Sequence, residues 1–95
     1  MEELRREFLE VDGEEVEVDL YGVGLKGGVK VTVVGEVKSR VYGDDVSRFH
    51  ERVVSRIRRV VEGEVLGILF GYLVHPSAER RAEELGLYVV ASYER

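Results

Sequence analysis

Two residues in the stretch Gly35-Glu36-Val37-Lys38-Ser39-Arg40 have types and spacing that could do chemistry. Glu36 and Lys38 are two apart at the end of an apolar run, Val29-Lys30-Val31-Thr32-Val33-Val34. On an extended strand, side chains two apart leave the same face. A carboxylate and an ammonium side by side at a strand end can hold a divalent cation and position a water beside it. Asp19 ends a second alternating run, Val16-Glu17-Val18-Asp19, and pairing of the two runs would bring it to Glu36. Magnesium prefers oxygen ligands and keeps several waters, so Asp19 and Glu36 are enough protein carboxylates, with the carbonyl of Val37 as a third oxygen. A cation held there acidifies water and neutralises charge on a scissile phosphate. Lys38 would orient or help deprotonate the water, or stabilise the pentavalent phosphate. A cross-strand ion pair worth ~0.2–1 kcal/mol explains the same three residues without catalysis. Spacing alone leaves both open.

A second set is basic. Arg48, Arg52, Arg56 and Arg59 form a stripe along a predicted helix, apart from its apolar face. Such a stripe suits nucleic-acid phosphates, with Arg80 and Arg81 as additions, and suits a solvated face with salt bridges equally well. The net charge is −5, but residues 1–19 hold nine acidic and two basic side chains, against four and nine in residues 20–61. A locally basic surface therefore remains open to phosphates. His50 and His75 stand at ligand spacing with no cluster and read as surface or helix-capping residues. Tyr21 and Tyr72 could line a site or simply pack.

The elements that must position these residues follow from periodicity. Residues 4–11 suit a short helix or a strand, and Asp12-Gly13 before an alternating run favours the strand of a hairpin. In 15–21, Val16, Val18 and Leu20 should face one way, and Glu17, Asp19 and Tyr21 the other. Gly22 to Gly28, with four glycines in seven residues, reads as a flexible turn connection. In 29–38, Val29, Val31, Val33 and Val37 share one face and Lys30, Thr32, Val34, Glu36 and Lys38 the other. Apolar residues on both faces predict a central strand covered on both sides. A 3.6-residue apolar stripe through Val46, Phe49, Val53, Ile57 and Val60 predicts a helix over 45–62, stopped by Gly63. The nearly unbroken apolar run 65–74 predicts a buried parallel strand whose two glycines permit close packing. A helix over 77–85 and a last strand from Leu87 to Tyr93 complete a right-handed βαβ unit, with 65–74 and 87–92 as parallel neighbours.

The 95 residues are expected to make one domain, residues 1–95. Absence of cysteine excludes disulfides and thiolate zinc sites. No signal-like start and no apolar run near 18 residues favour a soluble, cytoplasmic protein with no membrane partner. Abundant Glu, Arg and Val suit a thermophile.

Asp19 at a strand end, a hairpin, Gly-Glu-Val-Lys-Ser at the end of the next strand and then a helix together resemble the PD-(D/E)XK nuclease superfamily, especially its small archaeal and bacterial members. The matching pieces are Val18-Asp19-Leu20, Val33-Val34-Gly35-Glu36-Val37-Lys38-Ser39, His75-Pro76-Ser77-Ala78 and Glu84-Leu85-Gly86-Leu87, within residues 15–92. The resemblance implies a restriction-endonuclease-like α/β fold, with a mixed central sheet flanked by helices. It also implies Asp19 and Glu36 as ligands of Mg²⁺ or Mn²⁺ and Lys38 as the catalytic lysine. One departure stands out: members usually begin with a helix carrying a further carboxylate, which Glu3, Glu7 or Glu10 would have to replace. A partner subunit could repair that gap, so a homodimer is expected. The combined expectation is a mixed sheet of four or five strands with two main helices, hydrolysing DNA phosphodiesters with a metal. The alternative is a non-catalytic nucleic-acid-binding or dimeric interaction module of the same fold.

Overall fold

Hairpin chemistry lays down the first half of the sheet. The computed structural model describes residues 5–11 and 13–92. Strands β1 (Arg5–Val11), β2 (Glu14–Lys26) and β3 (Val29–Val41) run antiparallel in sequence order. Residues 5–11 are thus the strand of the two options, while Leu4 and Asp12 lie outside the described residues. The glycine-rich connection is shorter than expected. Only Gly27 and Gly28 form the turn, at φ of 59° and 83°, the left-handed pair that a two-residue hairpin turn requires. Gly22 and Gly24 instead pair with Val33 and Val31 inside the ladder.

Helices then carry the chain across one face. α1 (Gly43–Phe49), a π-helical turn (His50–Val54) and α2 (Ser55–Arg58) form one helical run. It starts earlier than the predicted 45 and stops short of 62. Asp45 accepts the Tyr42 N–H at 2.8 Å, which caps the first turn. Gly63 is not the helix stop expected of it. At φ 84° it turns the chain into the next strand, where an added Cβ would strike the Lys30 carbonyl. β4 (Glu64–Val74), α3 (Pro76–Leu85) and β5 (Tyr88–Ala91) follow, with β4 parallel to both β3 and β5. The observed fold is therefore a five-stranded mixed sheet in the order β1-β2-β3-β4-β5 with two helical units. β4 and β5 are parallel neighbours joined through α3, as predicted, although Tyr93 lies outside the described residues.

One expectation about faces is corrected and one is met. Between the pairs Arg5↔Tyr21 and Glu7↔Val18, β2 advances three residues while β1 advances two. That bulge reverses the alternation, so Val16, Val18 and Tyr21 all pack toward the core, and Leu20 does not. β3 is buried on both faces at its middle, as expected, with Thr32 and Val34 on the helix-covered face and Val31 and Val33 on the other. Val34 and Leu69 meet Val46, Phe49, Val54 and Ile57 of the helical run and Ala78 and Ala82 of α3 in one cluster. On the opposite face Val37, Tyr72, Tyr88 and Val90 remain exposed. The two glycines of β4 do permit close approach. A Cβ on Gly67 would lie 2.8 Å from Val54 Cγ2 and 2.9 Å from Leu87 Cδ2. Among the described residues, no helix is long and apolar enough to cross a membrane.

Candidate active site

The site begins where two strands part. The β2–β3 ladder ends at the pair Leu20↔Gly35. Asp19 and Glu36 are the next residues beyond that last rung, one on each strand. Asp19 replaces the missing rung with its side chain, since its Oδ2 accepts the Val37 N–H at 2.9 Å. Its Oδ1 faces Arg6 Nη2 at 3.4 Å. The bulge beside Asp19 is what carries β2 away from β3 and leaves the carboxylate in the fork.

Glu36 and Lys38 share the helix-covered face of β3, as their spacing required, and both line one cavity of about 290 Å³ with Asp45, Arg48, Phe49, Arg52 and Val53. The glutamate sits half-buried at its floor. Burial, the largest cause, raises the Glu36 pKa above its ordinary 4.5. The Lys38 ammonium opposes that shift, the Asp19 and Asp45 carboxylates reinforce it, and the Arg48 guanidinium opposes it. Lys38, Asp19, Asp45 and Arg48 thus all act on the Glu36 carboxyl.

Asp45, absent from the candidates above, also belongs to this group. Its place three and four residues before Arg48 and Phe49, on one helix face, was the available signal. Of the arginine stripe, Arg48 and Arg52 line the cavity, whereas Arg56 donates to Glu14 Oε2 at 2.8 Å and ties the helical run to β2. Arg48 also donates to Asp45 Oδ1 at 3.3 Å. Arg59 is exposed, beyond the end of α2. Glu7 pairs with Arg5 at 3.0 Å, Glu10 sits opposite Glu15, and Glu3 lies outside the described residues.

His75 is a cap, as its sequence context suggested. Its Nδ1 accepts the Ser77 N–H at 3.1 Å and lies 2.8 Å from Ser77 Oγ. Ser77 Oγ in turn accepts the Gly43 N–H at 3.0 Å, which ties the start of α1 to α3. Tyr42 stacks near His75 with ring centroids 5.2 Å apart. His50 is half-buried on the π-helical turn. Tyr21 packs against the core, and Tyr72 lies on the open sheet face.

The donors at the fork are oxygens, the ligand class that suits a hard divalent cation. Among the described residues, no three His, Asp or Glu side chains converge on one metal position. The chemistry present fits a cation held by one or two carboxylates and otherwise by water.

Two solved structures share this fold. A repair endonuclease from Pyrococcus abyssi matches with a TM-score of 0.67 and 26% identity, over 95% of this chain and 38% of that one. EndoMS in its apo form matches with a TM-score of 0.64 and 18% identity, over 100% of this chain and 40% of that one. The chain thus spans about two fifths of the length of each structure. No curated protein matches it. The fold is endonuclease-like, and a family model matches residues 3–95 with the description "Domain of unknown function (DUF8196)", so the chain belongs to that family.

Proposed function

We propose that the protein is a metal-dependent nuclease of the PD-(D/E)XK type that hydrolyses DNA phosphodiesters, its domain being residues 1–95. One observation carries the reading: Asp19 and Glu36 are the first residues past the last β2–β3 rung, with Lys38 beside Glu36 in a cavity walled by arginines. The endonuclease fold of the two structural matches supports it.

In this reading Asp19, Glu36 and the Val37 carbonyl would hold Mg²⁺ or Mn²⁺, which would supply Lewis acidity toward the phosphate and a more acidic water. Glu36 would bind the cation as its carboxylate, the form that the Lys38 ammonium favours. Lys38 also aligns the attacking water and stabilises negative charge on phosphorus. The water oxygen bonds to phosphorus and gives up a proton, one P–O ester bond breaks, and the departing oxygen takes up a proton. Arg48 and Arg52, which line that cavity, lie on the part of the helical run that faces the DNA.

The test supplies Mg²⁺ or Mn²⁺ with single- and double-stranded DNA, comparing the native chain with Asp19→Asn and Lys38→Ala. Cleavage by the native chain and its loss in both variants is the expected result. Equal cleavage by all three, or none by any, defeats the proposal. A second reading, DNA binding without cleavage, is favoured by the bonds Asp19 already makes to the Val37 N–H and Arg6. It predicts metal-independent binding with a steep salt dependence.

A further inference from the structure

Resting on the hydrolytic reading above, we propose that Arg48 and Arg52 grip the reacting phosphodiester inside the Glu36 cavity. Asp45 positions Arg48 for this, and Arg56 serves the fold instead. A stripe of four arginines suggests uniform contact with a long phosphate track, but the structure divides it. Arg48 and Arg52 are four apart on one helix face and both line the cavity that holds Glu36 and Lys38. Arg56 points elsewhere. Its side chain is only 22% exposed and is bound to Glu14 of β2 at 2.8 Å. Reaching a phosphate would require breaking that pair.

The two cavity arginines have donors to spare. A guanidinium carries five N–H donors in a planar fork that matches two phosphate oxygens. Arg48 spends one on Asp45 Oδ1 at 3.3 Å. Asp45 is itself anchored, since its Oδ2 accepts the Tyr42 N–H at 2.8 Å. The carboxylate is thus a fixed post that aims Arg48 into the cavity. Arg52 forms no hydrogen bond or ion pair with the described residues and is exposed. The cavity's volume of about 290 Å³ is roughly that of ten liquid waters, room for a phosphodiester group and an attacking water. An arginine pair there binds the phosphate that reacts rather than its neighbours along the strand.

The probe is the dinucleotide thymidylyl-thymidine, which has a single phosphodiester and leaves no track to follow. Titrated into the full chain without metal, it should shift the ¹⁵Nε resonances of Arg48 and Arg52 and leave that of Arg56 in place. Arg48→Ala and Arg52→Ala should each weaken binding roughly tenfold or more, as loss of a charge-assisted contact does. Arg56→Ala should bind within about twofold of the native chain. Asp45→Asn retains an acceptor for Tyr42, so it should broaden the Arg48 Nε signal and weaken binding while Tm changes little. Absence of dinucleotide binding by the native chain, equal binding by the Arg48 and Arg52 variants, or an equal loss in Arg56→Ala overturns the proposal. A chain that binds through Arg48 and Arg52 yet cleaves no DNA keeps the grip and discards hydrolysis. One that cleaves DNA with both variants unaffected does the reverse.

Discussion

Gly67→Ala tests the contact that sets the height of the helical run above the sheet. The new methyl carbon would lie 2.8 Å from Val54 Cγ2, 2.9 Å from Leu87 Cδ2 and 3.3 Å from Phe49 Cε2. Those neighbours belong to three elements or their flanks and are 0%, 6% and 2% exposed, so none can swing into solvent. Overpacking of this kind costs ~1–3 kcal/mol. Removing a glycine from the unfolded chain returns only ~0.4–1 kcal/mol. The net is a destabilisation of ~1–2 kcal/mol, which in a chain of this size lowers Tm by roughly 4–16 °C. Thermal unfolding followed by circular dichroism measures it. Because Phe49 also lines the candidate cavity, the same variant should weaken binding of a small phosphodiester. Val54→Ala removes the closest opposing methyl, so the double variant should lose less than the two single losses added together. A Tm for Gly67→Ala that stays within about 1 °C of the native value, or rises, would refute the reasoning, because ordinary glycine replacement predicts stabilisation.

Three further perturbations follow from single contacts. Glu36→Gln should raise Tm at pH 8 and have no effect below about pH 4. The raised pKa means the folded state holds the Glu36 proton more tightly than the unfolded chain, so native stability declines as pH climbs from the ordinary 4.5 through the folded value. A variant less stable than the native chain at pH 8 would contradict that sign. Asp19→Ala leaves the Val37 N–H without its acceptor, at ~0.5–1.5 kcal/mol, and should speed amide exchange at Val37, whereas Asp19→Asn should not. Ser77→Ala removes the acceptor of the Gly43 N–H and the partner of His75 Nδ1; a loss of ~1 kcal/mol, or roughly 4–8 °C in Tm, is expected in urea or thermal melts.

Local pattern determined much of this protein by itself. Alternation placed Glu36 and Lys38 on one face of β3, because strand side chains repeat every two residues whatever the neighbours do. Apolar periodicity located the first helical unit, and the run Val65 to Val74 announced a parallel strand. His75-Pro76-Ser77 announced a helix start for the same local reason, a side chain reaching its own backbone. The tertiary structure decided the rest, wherever the outcome depends on how one element meets another. Residues 15–21 alternate without interruption, yet the bulge against β1 turns Tyr21 inward and Asp19 into the fork. Register between strands is a property of the pair, so no reading of β2 alone could show it. Burial of β3 on both faces at its middle was legible in its valines, but which face receives the helices was not, because that depends on where the helical run packs. The arginine stripe divided because Arg56 found Glu14, forty-two residues away, while Arg48 and Arg52 turned to the cavity. Asp45 joined Glu36 by the same kind of encounter. Sequence supplied the charges, and only the packing of the helical run on the sheet brought them together.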